Sequence, residues 1–360
     1  MKNNIMYNEI EIVSTDFENK YLVRLYDKSM HVGFMIKDII EFLKEGKASD
    51  EMQMHFKERY GLFVDRKTID DVIENKINPF VIKQDTASFH KIVPLFNPSV
   101  VRVPNVILEA FSAYFFYGMG VFVLLINAYF YTTSMKLHFN STSETILGGV
   151  LLFLVVVVHE WGHSLAARRY GTEVKEIGLG WYLVFPVFYV DLNEIWKLNA
   201  SKRIIINLAG IYLQLFCGVA LLVLSMWIDT LKGVFLTVFC INFSIVILNL
   251  NPFLKFDGYW VLSDLLQGKD LYKVSNAMVQ KWMRFRKTEE GIVMTIYTVL
   301  RSVFVLFITL TFLRFLWQKS GQLYASGEVD SSCIFILLVL TLFLYRIVKK
   351  RKLKANENII

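Results

Sequence analysis

The apolar run VVVVHEWGHSLAARRYG places His159, Glu160 and His163 inside what reads as a membrane helix. A charged side chain at the centre of such a helix costs about 2.5–3.5 kcal/mol, so an ionisable cluster there marks function by default. Spacing of four puts both imidazoles on one helix face, near enough to share a tetrahedral metal, while Glu160 projects beside them toward the water such a metal holds. HExxH arises by chance only about once in some tens of thousands of residues on mean residue usage, and the cost of an unpaired buried charge makes an accidental one here rarer still. The other four histidines, His31, His55, His90 and His138, lie scattered outside the apolar segments. The pattern implies Zn2+ and metal-assisted hydrolysis, with Glu160 as general base.

Zinc chemistry needs a third protein ligand and one position left open. In INFSIVILNLNPFLKFDGYWVLSDLL, Pro252 is expected to break the helix at Asn251 and Gly258 to turn the chain after Asp257. Asp257 is thereby expected at the inner end of the fourth apolar segment. His159 lies about 20 Å along its own segment by helical rise, also toward the inner side. Irregular backbone at that depth is tolerable only where it lines protein or a water-filled cavity. The plainer reading of Asp257 is a solvated loop carboxylate just below the membrane.

The elements that must position these residues follow from composition. In 360 residues, 54% are hydrophobic, 15% aromatic and only 20% charged, and the mean hydropathy is +0.43, which excludes an ordinary soluble globule. The three cysteines, Cys217, Cys240 and Cys333, lie in apolar runs, so a disulfide scaffold is excluded. Six segments approach spanning length: 107–131, 144–166, 204–228, 234–251, 291–317 and 331–348. The inner connections 167–203 and 252–290 and the tail from Lys349 collect Lys and Arg, whereas the outer ones hold Lys136, Lys232 and Lys319 singly. That asymmetry implies a multi-pass protein of the inner or cytoplasmic membrane with both termini cytoplasmic. Arg301 falls inside the fifth segment, so either that helix starts later or Arg301 faces protein.

No cleavable signal is expected from Met1–Ile40, where charged and apolar residues alternate, and residues 1–83 read as a cytoplasmic module. Alternating strands at 8–13 and 21–26 precede helices at His31–Lys44, Ser49–Tyr60 behind a Ser cap, and Arg66–Ile77. The net charge of +7 invites a nucleic-acid reading, but residues 1–100 carry 14 basic and 16 acidic side chains. No nucleic acid is expected as a partner, because no basic surface drives counterion release. The expected fold is an α-helical polytopic membrane protein, with six transmembrane helices and a re-entrant hairpin, plus a small α+β winged-helix-like N-terminal domain. The expected divisions are 1–83, a linker 84–104, a membrane domain 105–348 and a basic tail 349–360.

HEWGH in one membrane helix followed some ninety residues on by NPFLKFDG resembles the site-2 protease family of intramembrane zinc metalloproteases. The resemblance implies zinc ligation by His159, His163 and Asp257 and catalysis by Glu160. NLAGIYLQLF (207–216) is similar to that family's Gly-Pro-x-x-Asn helix, with Ile211 for the proline and Gln214 for the asparagine. Gln214 or Asn251 is expected to replace that asparagine toward substrate, while helix packing through Ala209 and Gly210 survives the change. Segment 177–192, IGLGWYLVFPVFYVDL, reads as a re-entrant hairpin against the catalytic helices, with an edge for an unfolded substrate strand. Its Tyr189 and Asp191 are candidate substrate contacts, and Asp191 is the alternative third ligand. The hairpin, WKLNASKR and the lack of room for a PDZ domain at 229–233 resemble the subgroup of peptide zinc metalloproteases found in peptide-maturation clusters.

The layout of residues 5–82 is similar to small leader-peptide recognition domains, though a structural lid would look the same. The implied function is intramembrane cleavage of a ribosomally made precursor peptide. The implied partners are a peptide or membrane-protein substrate, the lipid bilayer, and a peptide-modifying enzyme or transporter. Regulated proteolysis of a membrane-bound regulator and a non-catalytic export or scaffold role are the competing readings. Intact Glu160 opposes the last.

Overall fold

The computed structural model describes residues 7–25, 28–82, 89–133, 139–182, 185–266, 270–288 and 290–326. These divide into two compact units: the first drawn from Met1–Ala87, Phe96–Ile177 and Val190–Val246, the second from Ser88–Leu95, Gly178–Tyr189 and Ile247–Ile360.

The first unit opens with β1 (Glu11–Ser14), β2 (Lys20–Leu25) and β3 (Lys28–Gly33), an antiparallel sheet in that order with Leu22 paired to His31. The third strand was not anticipated; its start abuts residues 26–27, which lie outside the described ones. Helices α1 (Phe34–Glu45), α2 (Ser49–Tyr60) and α3 (Arg66–Val72) follow, and α3 widens over Ile73–Ile77 before α4 (Asn78–Ile82). Ser49 is not the cap of α2: Ala48 holds that position, Glu51 reaches back to its N–H, and Ser49 donates to Asp70 at 2.7 Å. Val23 and Leu25 face the helices, packing with Ile39, Ile40, Met52 and Phe56.

The opposite face of β2 carries Leu22 and Arg24, and it is buried too. A half-buried strand was expected; the second face is covered by the segment around Asn193–Lys197. Arg24 pairs with Glu194 at 3.3 Å, His31 Nε2 donates to the Trp196 carbonyl at 2.7 Å, and Asp16 accepts from the Asn199 N–H at 3.2 Å and from Lys202 at 2.7 Å.

Among the described residues, five helices are long and apolar enough to cross a membrane. In the first unit, α5 (Asn105–Glu109) precedes α6 (Ala113–Thr133), α7 (Thr142–Arg169), α8 (Ala200–Trp227) and α9 (Lys232–Asn249), whose last three residues fall in the second unit. The first span therefore starts at Ala113 rather than 107. Glu109 explains the delay, since it pairs with Arg169 at 3.1 Å and keeps α5 at a polar level. The most extensive helix packing among the described residues is between α7 and α8.

In the second unit, β4 (Phe89–Phe96), β5 (Ile177–Tyr182) and β6 (Phe185–Val190) form a sheet in that order. The stretch read as a linker thus contributes a strand, which fills one edge of β5 and leaves β6 as the outer strand opposite. Instead of a plain inner loop, 252–290 contains α10 (Asp257–Leu265) and α11 (Leu271–Met283), and α12 (Ile292–Ser326) includes the fifth span. Arg301 faces protein: it donates to Ser275 and Asn276 at 3.0 and 2.9 Å, and its guanidinium lies 4.2 Å from the Tyr272 ring centre. The sixth expected span, 331–348, lies outside the described residues.

Three titratable groups hold the seam between the N-terminal sheet and the start of α8. Burial lowers the His31 pKa, and the Lys202 hydrogen bond lowers that of Asp16. Burial pushes Glu194 up, but donation from the Glu173 N–H, Lys197 and Arg24 outweighs it and leaves the carboxyl below its ordinary value. All three folded values are depressed, so their contribution is complete above 6.5 for the imidazole and above 4.5 and 3.8 for the carboxylates. It is lost as pH falls through each folded value. Hydrogen exchange should therefore rise at residues 193–199 first and at 11–16 with them as pH is lowered from 7.5 through the His31 and Glu194 values and on below 3.8 for Asp16, after correction for intrinsic rates, with little change in α7 and α8. Protection that stays unchanged down to about pH 3 would assign the seam to other contacts.

Candidate metal centre

Ser141 caps α7 by accepting the Glu144 N–H at 3.2 Å, and the helix then runs unbroken to Arg169. Its C-terminal end is fixed by Arg168 donating to the Val101 carbonyl at 2.7 Å. The length brings His159 and His163, one turn apart, into the protein, with 7% and 4% of their surface exposed. Glu160 is half-buried.

The α7–α8 crossing is close because small residues meet there. A Cβ at Gly162 would lie 2.4 Å from the Ala209 carbonyl oxygen, and one at Gly210 would lie 2.4 Å from His163 Nε2 and 2.7 Å from His159 Nε2. The bare backbone of Gly210 thus forms one wall of the site. Expected packing through Ala209 and Gly210 is present, and Ile211 in the proline position is buried against Val123, Leu215 and Phe243.

Both rings are oriented by their far nitrogens. His163 Nδ1 lies 2.7 Å from the Ile206 carbonyl, which can only accept, so Nδ1 carries the proton. His159 Nδ1 lies 3.0 Å from Gln214 Oε1, which selects the same tautomer. In neutral rings each Nε2 then presents a lone pair, and these nitrogens are 3.1 Å apart. Two facing lone pairs repel unless a cation lies between them. Nitrogens on a tetrahedral zinc with bonds of 2.0–2.1 Å would be about 3.3–3.4 Å apart, so the pair fits that metal.

Asp257 belongs to the second unit. It opens α10, whose N-terminal N–H groups favour a carboxylate, and it is half-buried. Gly258 does not turn the chain as expected; it lies in the first turn of α10, where a Cβ would sit 2.2 Å from the Leu250 carbonyl oxygen. The backbone after Pro252 does fold back on the end of α9. Asn251 serves that fold: its Oδ1 accepts the Phe253 N–H at 2.8 Å, closing a side-chain turn at the break.

The remaining candidates separate. Tyr189, 9% exposed, packs on Gly178 across the β5–β6 pair, with the Lys91 ammonium 5.5 Å from its ring centre. Asp191 accepts the Asn193 N–H at 3.2 Å and lines a small polar cavity with Arg24, Lys175 and Glu194 and without a histidine. Gln214 is 1% exposed and engages His159. Sequence reasoning missed Gly162, hidden inside HEWGH, and Asn127 and Asn242, both fully buried in apolar helices. Polar amides inside spanning segments were the signal for the latter two.

Residues 148–232 match the model of peptidase family M50. YydH of Bacillus subtilis (strain 168), named as a peptide zinc metalloprotease, is 30% identical over 201 residues, covering 53% of this chain and 73% of that protein. The zinc metalloprotease MJ0392 of Methanocaldococcus jannaschii is 30% identical over 165 residues, covering 44% of this chain and 47% of that one. No solved structure matches.

The Gly210 contact yields a direct test. Gly210→Ala should weaken zinc binding by about tenfold or more, in the range of other changes that disturb ligand orientation, because its methyl would meet both Nε2 atoms. Gly149→Ala, on the same helix as the histidines but with nothing within 4 Å, should leave binding unchanged. Chelator competition on the purified proteins measures both, and equal affinities would move the metal away from this wall.

Proposed function

The chain belongs to peptidase family M50, the site-2 protease family, and on that premise we propose that it is an intramembrane zinc endopeptidase that cleaves a ribosomally made precursor peptide. The observation that carries the reading is the buried pair of imidazoles, each with Nδ1 committed as a donor and with their Nε2 atoms 3.1 Å apart. Asp257 is the third ligand in this reading. Its support is the carboxylate that a three-ligand catalytic site requires, the NP-x4-DG context, and its place in the first turn of α10.

Zinc, when bound, supplies Lewis acidity toward the scissile carbonyl and the attacking water. The chain's own residues do the rest. His159 and His163 hold their lone pairs toward one point. Glu160, adjacent in sequence and on the same helix, takes the proton of the attacking water and returns it to the leaving amine. The low-dielectric surroundings strengthen each of these interactions. A helical substrate must unwind first, since a hydrogen-bonded helical amide is poorly exposed to attack.

Termini on the cytoplasmic side follow from the Lys and Arg distribution of the connections. The peptide reading draws on the printed name of the Bacillus subtilis relative and on the N-terminal sheet, whose outer strands β1 and β3 can accept an extended segment by strand addition.

Purified protein should carry close to one zinc per chain. His159→Ala, His163→Ala and Asp257→Ala should lose it, and Glu160→Gln should keep it while turning over about 10²–10⁴ times more slowly. Full zinc in Asp257→Ala would pass the third-ligand role to another residue, and near-normal turnover by Glu160→Gln would sink the mechanism. If the N-terminal sheet binds a leader, a precursor with its leader should show a lower KM than the cleaved segment alone at similar kcat. Equal KM values would leave the module with a structural role.

A further inference from the structure

We propose that Gln214 is a positioning residue for the zinc ligand His159, and that Asn127 and Asn242 hold it in register by clamping its backbone. The inference deepens the metallopeptidase reading and rests on it.

The starting point is the difference between the two anchors. His163 is oriented by a main-chain carbonyl, that of Ile206, which the helix itself fixes. His159 is oriented by the end of a side chain, at 3.0 Å. A glutamine reaches its carbonyl through three rotatable bonds, so its aim depends on packing and on where its backbone is held. Gln214 is 1% exposed, which removes water as a substitute acceptor for the imidazole N–H.

The backbone at this point is held from two sides. Asn242 on α9 donates to the Gln214 carbonyl at 3.0 Å. Asn127 on α6 donates to the Leu215 carbonyl at 3.1 Å and to its own helix at Val123, at 2.7 Å. Two consecutive carbonyls of α8 therefore each receive a side-chain amide from a different helix. Both asparagines have no exposed surface, and few other donors can hold a helix against rotation inside an apolar bundle.

Room for the clamp comes from Gly218, one turn beyond Gln214. A Cβ there would lie 2.1 Å from Asn127 Oδ1 and 3.3 Å from Asn242 Nδ2. Gly210, Gln214 and Gly218 lie four apart on one face of α8. The first admits the imidazoles, the second aims one of them, and the third admits the amides that fix the second. The Oε1 of Gln214 is engaged by His159, so a contact with substrate, the role the sequence suggested for this residue, would fall to its Nε2 donors.

The test uses the full-length protein in detergent, with zinc affinity from chelator competition and the visible spectrum of the Co2+-loaded form as readouts independent of turnover. Gln214→Leu should bind zinc about 10–100-fold more weakly, the range for loss of a ligand's hydrogen-bond partner, and should shift the cobalt bands. Gln214→Glu keeps an acceptor of the same length and should stay near wild type in both. Gln214→Met, close to the native length and flexible, provides the acceptor-free comparison should leucine impair folding, judged by melting of the zinc-free proteins. Asn242→Ala should weaken zinc in the same direction. Wild-type affinity in the leucine and methionine variants, with a raised KM, would make Gln214 a substrate contact and overturn the proposal. Equal weakening by the Glu, Leu and Met variants would overturn it as well. The underlying reading is checked separately, because zinc in the wild type that is lost in His159→Ala establishes the metal site whatever Gln214 does.

Discussion

The rest of the first unit depends on one constraint: two imidazole nitrogens, each with its lone pair turned inward, are held 3.1 Å apart against the bare backbone of Gly210. Apolar segments in a bilayer gain little by burying apolar surface against each other, so a close crossing must come from backbone approach and hydrogen bonds. Gly162 and Ala209 supply the approach, and Ala166 and Ala167, fully buried, keep the next turn of α7 equally narrow. A larger residue at 162 or 209 would push α8 outward and carry the Ile206 and Gln214 acceptors away from the rings. The imidazole pair and the helix crossing are thus one feature.

The N-terminal sheet enters the same chain of dependence. Its Asp16 accepts from the N–H of Asn199, and Asn199 is itself the cap of α8, accepting the Lys202 N–H at 3.1 Å. Arg24 and Glu194, both largely shielded from solvent, add a pair that loses less to screening than exposed ones do. The module is therefore docked onto the first turn of the helix that bears Gly210 and Gln214. A segment bound to the β3 edge would act close to His31, which donates to Trp196 in that same seam.

What the sequence disclosed follows the range of the interactions involved. The single helix that carries both His159 and His163, the five apolar helices among the described residues and the helix break at Pro252 are set by neighbours within a turn or two, although the first span begins at Ala113 rather than 107. Arg301 was ambiguous because its partners, Ser275 and Asn276, lie some twenty-five residues away in a segment read as loop. The strand at Phe89–Phe96 escaped for a similar reason: three prolines in 84–104 read as linker punctuation, yet a strand at the edge of a sheet tolerates Pro94. The buried outer face of β2 was illegible because alternation reports one covered face, and Arg24 satisfied by Glu194 looks in sequence like a solvent-facing residue.

Gln214 shows how a departure from a family pattern can be read physically. Where the resemblance supplies proline and asparagine, this chain has Ile211 and Gln214. Isoleucine restores the backbone N–H that proline lacks and fills space against Val123 and Phe243 with a branched side chain. Glutamine adds one methylene to asparagine, and that extra length lets a residue on α8 reach the far nitrogen of an imidazole on α7. A longer arm is also a looser one, with a further rotatable bond to restrain. The two amide donors on the carbonyls of residues 214 and 215 are the restraint. The two substitutions and the Asn127–Asn242 clamp are best understood together, as one way to keep a flexible acceptor fixed on the buried His159 imidazole.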